Sequence, residues 1–126
     1  MSVDGIGAAV RRKEDFRFLT GRGNYTDDID RPNQTHVYIL RSQVAHATLG
    51  KIDASKALKA PGVVAVFTGA DFAADNIGGL PCGWGIKNKD GSAMHEPGHP
   101  VLAQGKVRHV GDPIVAIVAE TLAQAK

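Results

Sequence analysis

The sequence predicts an α+β fold: a small mixed sheet packed by one or two helices, preceded by an irregular N-terminal arm. Residues 1–34 have no sustained hydrophobic period and are interrupted by several glycines and by Pro32. Residues 35–126 contain several short apolar stretches, which are typical of strands, separated by turn residues and helix-capping signals. We therefore expect an arm over residues 1–34 and one domain over residues 35–126.

Size and charge limit the possible functions. A chain of 126 residues suits a single domain and can bury roughly two-thirds of its unfolded surface. The net charge is +2 and the basic residues are spread along the chain, which argues against nucleic-acid binding. No apolar run approaches the roughly 18 residues of a membrane span, and no secretory signal opens the chain. With one cysteine, Cys82, the sequence predicts a cytoplasmic protein.

The arm carries one helical signal and many charges. Asp15–Leu19 is predicted to form a single helical turn that ends at Thr20-Gly21. Arginine binds carboxylates with two parallel hydrogen bonds, so the charges either clamp the arm to a larger protein or form a solvated face. With few apolar residues, the arm is expected to need a partner, which could be another copy that exchanges arms. The predicted contact residues of the arm are Arg12, Asp15, Arg17, Tyr25, Asp27 and Asp28.

The first half of the domain alternates strand and helix signals. Thr35–Arg41 has apolar residues on both faces and is expected to be an internal strand. Ala47–Ile52 is expected to be a second strand. Asp53 stands at an N-cap position, so a short helix should follow over Ala54–Ala60 with Leu58 facing the core.

The second half is predicted to contain the centre of the sheet. Val63–Phe67 is an unbroken apolar run, which predicts a central buried strand that ends in a turn at Thr68–Asp71. Pro100–Ala103 and Lys106–His109 should form a short hairpin, and Pro113–Ala119 another buried strand.

A last helix is signalled close to the end of the sequence. Thr121 stands at the N-cap and Gln124 follows three residues later, which is a capping-box pattern. One helical turn before Lys126 is not stable by itself. We therefore expect this helix to be truncated and the chain to be a piece of a longer polypeptide.

Residues 73–99 are predicted to form a long irregular loop. Loops longer than about 12–15 residues in a compact domain are usually functional or held by partners. An exposed Trp84 would act as an interface anchor, whereas a buried one would plug the loop, and both alternatives stay open. Cys82 has no basic residue within three positions that would activate its thiol.

No catalytic, cofactor-binding or metal-binding residue is predicted. His95-Glu-Pro-Gly-His99 has the letters of a zinc-protease motif, which requires a helix to place both imidazoles on one face. Pro97 and Gly98 oppose a helix at this point, so the two histidines are expected to be loop residues. The spacing of the remaining residues shows no nucleophile with its base and no paired carboxylates.

Several segments resemble, in order and spacing, the molybdenum-binding large subunits of the xanthine dehydrogenase, aldehyde oxidase and carbon monoxide dehydrogenase family. They are Gly5–Gly7 with Arg12–Asp28, Arg41–Ala47, Ile52–Asp53 with Pro61–Asp71, and Val107–Pro113 with Val118–Thr121. The similarity extends over nearly the whole chain except residues 73–99. Asp112-Pro113 is a small departure, since the family often has Glu-Pro there.

This resemblance implies an α/β hammerhead domain preceded by an arm. It also implies a parent subunit that uses a molybdopterin cofactor, with iron–sulfur clusters and FAD on partner subunits. The family hydroxylates a carbon centre with oxygen from water, or oxidises carbon monoxide in one branch, and its catalytic glutamate and cofactor contacts lie in later domains. The leading hypothesis is therefore a non-catalytic fragment with a structural and subunit-contact role. The alternative is an independent small binding module that uses loop 73–99.

Overall fold

The computed structural model describes residues 5–126, so the first four residues of the predicted arm lie outside the described residues. The chain divides into two compact units, Met1–Pro32 and Asn33–Lys126. Of the helices in the described part, none has the length and apolarity needed to cross a membrane.

The first unit contains α1 (Asp15–Leu19) and a 3₁₀ turn over Thr26–Asp28. The predicted helical turn and its end are confirmed. Gly21 has a positive φ of 70°, and the N–H groups of Gly21 and Arg22 donate to the carbonyls of Phe18 and Arg17. This is a Schellman ending, in which a left-handed residue lets two orphan carbonyls find donors.

The second unit is built on two small antiparallel sheets. In chain order its strands are β1 (His36–Arg41), β2 (Ala47–Thr48), β3 (Val63–Thr68), β4 (Lys106–Val107) and β5 (Pro113–Ala119). The larger sheet has the order β1-β5-β3, and β2 pairs with β4 in the smaller one. Two short helices complete the unit, α2 (Gly69–Ala74) and α3 (Leu122–Ala125). The predicted α+β class is confirmed.

The assignment of the central strand was wrong. The centre is β5, whereas both Val63–Phe67 and the Thr35–Arg41 segment, expected to be internal, form edge strands. Val64 is accordingly 59% exposed. An apolar run indicates partial burial, but only long-range pairing decides which strand receives two neighbours, and the longest run, Pro113–Ala119, takes that place.

The predicted hairpin was also wrong. Lys106–Val107 pairs with Ala47–Thr48, far away in the sequence, while the N–H of Ala103 donates to the carbonyl of Pro113 over 2.7 Å. The strand expected over Ala47–Ile52 is limited to the two residues that have this partner. A strand lasts only as long as its pairing partner, and sequence alone does not supply that partner.

The helix expected over Ala54–Ala60 is reduced to a 3₁₀ turn at Ala57–Lys59. The N-terminal signal itself is confirmed, because Asp53 Oδ1 accepts the N–H of Ser55 at 2.9 Å. That backbone bond, followed by the Ser55 hydroxyl, lowers the pKa of Asp53. Leu58 is 53% exposed, so its predicted place in the core was wrong. The segment is too short for a stable helical face.

Helix α2 starts where the sequence predicted a turn. The N–H and the hydroxyl of Thr68 both donate to Asp71 Oδ2, at 2.6 and 2.7 Å. The hydroxyl contributes most to lowering the pKa of Asp71, and the N–H contributes next. Gly69 allows a close approach, because a Cβ there would lie 2.5 Å from the carbonyl oxygen of Ala103. The Thr-x-x-Asp pattern was the available signal for this helix.

The core of the second unit is small. Among residues 5–126, Leu102 is the one large side chain that is fully buried, and the other buried apolar residues are alanines and valines. Helix α3 begins as predicted, with Thr121 Oγ1 accepting the N–H of Gln124 at 3.3 Å. It packs against β1 and β5 and buries Ala125.

Candidate interaction surfaces

The charged residues predicted in the arm interact with their own neighbours. Arg12 Nε lies 2.9 Å from Asp15 Oδ1, with the two side chains 79% and 36% exposed. The guanidinium of Arg17 lies 5.0 Å from the centre of the Phe18 ring, a cation–π distance. Exposed pairs of this kind contribute about 0–1 kcal/mol, so they constrain the arm only weakly.

Tyr25 and Asp28 belong to a second local group. The Tyr25 ring stacks on Phe18 with a centroid distance of 5.4 Å. Asp28 Oδ2 accepts the N–H of Tyr25 at 2.9 Å, which holds the 3₁₀ turn. Asp27 is exposed in the same turn. Five of the six predicted arm residues therefore lie in two small clusters within the first unit.

The contact residues predicted in the arm were mainly charged, and they did not include an exposed apolar pair on α1. Phe16 and Leu19 are 71% and 86% exposed and stand three residues apart, which places them on one side of a helical turn. Val10 and Ile6, further towards the N-terminus, are also exposed. The available signal was the i, i+3 spacing of two large apolar residues.

Trp84 is 68% exposed, so it does not plug the loop. The loop is fastened on either side of this residue. At its base, the N–H of Leu80 donates to the carbonyl of His99 over 2.8 Å. At its tip, Lys87 pairs with Ala93 in an isolated bridge. Between these two closures Trp84 presents an aromatic surface to solvent.

A pocket of about 570 Å³ lies between the loop and the turn before β5, and its lining includes His95, His99 and His109. The same turn holds Asp112, whose buried carboxylate accepts the N–H of Arg108 at 2.9 Å and lies 3.9 Å from His109 Nδ1. Within residues 5–126, no three histidine, cysteine or acidic side chains gather in a way that could hold a metal ion. The polar side chains of this pocket can donate hydrogen bonds to a small polar molecule and accept hydrogen bonds from it.

One face of the larger sheet forms an apolar groove of about 450 Å³. Its floor follows from the register: Val37 pairs with Val118, and Ala116 pairs with both Ile39 and Phe67. Residues directly opposite in a ladder share a face, so these side chains lie on the same side of the sheet. Val37 and Phe67 remain 55% and 41% exposed.

The groove has apolar walls and one charged residue. Phe72 of α2 meets Phe67 edge to face, with ring centroids 6.5 Å apart, and Val101 also borders the groove. Arg41 is the one charged side chain in the lining, and its Nη1 donates to the carbonyl of Gly111 at 2.9 Å. Below, "the sheet groove" means this cavity.

Residues 20–126 match the model of the family described as aldehyde oxidase and xanthine dehydrogenase, a/b hammerhead domain. The nicotine 6-hydroxylase large subunit of Paenarthrobacter nicotinovorans is 40% identical over 121 residues, which are 96% of this chain.

Solved structures of other proteins are also similar to this chain. Quinoline 2-oxidoreductase from Pseudomonas putida 86 superposes with a TM-score of 0.78 at 38% identity and covers 92% of this chain. A Cu,Mo-CO dehydrogenase superposes with a TM-score of 0.73 at 34% identity and covers 98%. The chain spans only 14% of the length of each of these three proteins. The resemblance seen in the sequence is thus confirmed, and the chain belongs to the aldehyde oxidase and xanthine dehydrogenase family, in its a/b hammerhead domain.

Proposed function

We propose that this chain is a non-catalytic structural domain of the large subunit of a molybdenum hydroxylase, in contact with the remainder of that subunit and with partner subunits. One observation carries the proposal. Among residues 5–126, 19 large hydrophobic residues are exposed, whereas Leu102 alone is a large side chain with full burial. Extensive exposed apolar surface marks interaction sites in soluble proteins. The nicotine 6-hydroxylase relative is a large subunit, which supports this proposal.

The parent is proposed to use a molybdopterin cofactor, with iron–sulfur clusters and FAD on partner subunits. Iron–sulfur clusters are held by about four cysteine thiolates, and this chain has one cysteine, so its residues do not fit such a cluster. The polar side chains around the 570 Å³ pocket also do not gather as metal ligands within residues 5–126. We therefore assign no cofactor contact and no catalytic step to this chain, and we expect it to work in the cytoplasm.

The arm and Trp84 are proposed as contact residues. The interactions that Arg12, Asp15 and Arg17 make within the arm are exposed and weak. Because little free energy is lost when they break, a partner protein can replace them with interactions that are buried in an interface. Trp84 combines a large rigid surface with one hydrogen-bond donor, a combination enriched at binding hot spots. The partner is the remainder of the subunit, a flavin or iron–sulfur subunit, or a second copy that exchanges arms.

The proposal is tested on the gene product in its own cells. An antibody against this chain should detect a polypeptide about seven times longer, since the chain spans 14% of its relatives. The protein captured by that antibody should contain molybdenum in a stoichiometric amount. A single product of 13.3 kDa, or a long product without molybdenum, would contradict the proposal.

A second candidate function is an independent binding module that uses loop 73–99. The pocket at the base of this loop supports it, because about 570 Å³ lies within the range of roughly 300–1,000 Å³ typical of ligand sites. A fragment screen followed by NMR on the chain should then shift the signals of His95, His99 and His109. The absence of any such shift removes this candidate.

A further inference from the structure

We infer that the sheet groove is the docking site of an apolar segment from the remainder of the large subunit, and that this segment carries a carboxylate that pairs with Arg41. The inference rests on the proposed function, because it requires a longer polypeptide. It goes further by assigning the surface, the chemistry of the occupant and the residue that selects it.

The exposed apolar residues on the groove face of the larger sheet are the first reason. On the groove side Val37 is 55% and Phe67 is 41% exposed, although each lies directly opposite an apolar residue of β5. A sheet that leaves apolar cross-strand pairs in solvent has a face that needs a cover.

The groove is also shaped to receive side chains. Phe67 and Phe72 meet edge to face and form one wall, and the buried Leu102 lies in the lining. The cavity of about 450 Å³ is already present in the chain by itself, so an incoming segment meets a preformed site. A preformed apolar cavity favours binding, because little conformational entropy is lost at the receiving side.

Charge decides against a second copy as the occupant. In a two-fold dimer the same patch meets itself, so Arg41 of each chain would enter the other's apolar groove. The groove lining contains no acidic residue that could pair with it. Two guanidinium groups would therefore be desolvated without a counter-charge, which is unfavourable.

A carboxylate on the incoming segment resolves this difficulty. Arg41 uses Nη1 for the carbonyl of Gly111, a bond that fixes the guanidinium at the rim of the groove. A guanidinium has five N–H donors, so enough remain for a bidentate carboxylate. Apolar side chains in the groove with an acidic residue beside them are thus the chemistry that fits.

The relatives supply the source of the segment. This chain covers 14% of the quinoline 2-oxidoreductase and CO dehydrogenase chains while superposing over 92% and 98% of itself. In those proteins the same domain stands in a chain about seven times longer. A segment of the same polypeptide binds intramolecularly, with an effective concentration that a separate molecule rarely reaches.

The test uses the intact large subunit with a photocrosslinking amino acid at Val37. Peptide mass spectrometry should find the crosslink on an apolar peptide outside residues 1–126 of the same polypeptide, with an aspartate or glutamate in it. The control carries the probe at Val64, which is exposed but outside the groove. It should give a different peptide or no crosslink.

The remaining outcomes overturn the inference. A crosslink to residues 1–34, a crosslink between two copies, no crosslink at Val37, or one peptide captured from both positions would each do so. These crosslinking results would contradict the docking site but leave the proposed function intact. A short gene product would contradict the proposed function as well, so the two failures are distinguishable.

A charge exchange tests the part assigned to Arg41. Arg41→Glu should lower the melting temperature of the intact subunit, and replacing the acidic residue of the crosslinked peptide by arginine should restore it. Arg41→Gln, which cannot be rescued in this way, is the matched control. If the charge exchange does not restore the melting temperature, the pairing of Arg41 with a carboxylate is excluded.

Discussion

Aspartate substitutions at Val115 and Val64 should differ sharply in their effect on stability. Val115 lies in the central strand β5, faces Leu40 and Thr68 on its two neighbours, and is 5% exposed. Val115→Asp loses the burial of the valine, about 1.5–3 kcal/mol, and places an unpaired carboxylate in the core at a further cost of several kcal/mol. The sum is comparable with the whole free energy of unfolding of a small domain, about 5–15 kcal/mol.

Val64 lies at the irregularity between Val63 and Ala65 in an edge strand and is 59% exposed. An aspartate there keeps its carboxylate in water. The substitution loses less than half of the valine burial, about 1 kcal/mol, and up to about 1 kcal/mol of strand preference.

Urea unfolding at 25 °C, followed by circular dichroism, separates the two cases. Val115→Asp should lack a cooperative transition, whereas Val64→Asp should keep it with a midpoint lower by about 1 M, given a slope of roughly 1–3 kcal/mol per M. Equal losses for the two variants, or a larger loss at Val64, would show that the strand order β1-β5-β3 is not the one in solution.

Three further substitutions test the core, a helix cap and a buried turn. Leu102→Ala should cost about 2–5 kcal/mol in the same urea assay because it empties a fully buried site, and a loss below about 1 kcal/mol would contradict that burial. Asp71 has a lowered pKa, so its bonds from Thr68 stabilise the fold fully above the ordinary value of 3.8, and this contribution is lost as the pH falls below it. Asp71→Asn should therefore make thermal stability less dependent on pH in acid, and an unchanged profile would remove this role. Asp112→Ala should cost about 1.5–3 kcal/mol because the N–H of Arg108 loses its charged acceptor, whereas Asp112→Asn, which keeps an acceptor oxygen, should cost less.

Local signals in the sequence were sufficient where the structure depends on neighbouring residues. The cap at Thr121 and the end of α1 at Gly21 involve partners within a few positions, so residue type and spacing predicted both. The pairing of Lys106–Val107 with Ala47–Thr48 depends on segments about 60 residues apart, and no local pattern encodes that choice. The same limit led to the wrong central strand.

The candidate surfaces show a similar division. The sequence predicted the charged arm residues and singled out Trp84, but it left the exposure of Trp84 open. The sheet groove was not predictable, because it depends on the register that places Val37 and Phe67 on one face beside Arg41. The family resemblance identified the fold, yet it says nothing about which face of this sheet is open.

The composition of the core bears on the proposed attachment of this domain to a larger protein. Apart from Leu102, the buried apolar side chains near the centre are small, such as Ala116, Ala119 and Ala125, and a small side chain removes little apolar area from water. Much of the remaining apolar surface therefore belongs to larger side chains at the periphery, and Val37 and Phe67 there remain 55% and 41% exposed. Those side chains contribute fully only when another surface covers them. Under the proposed function, the stability of the domain and its attachment to the rest of the subunit would depend on the same residues, so a substitution in the sheet groove should weaken both at once.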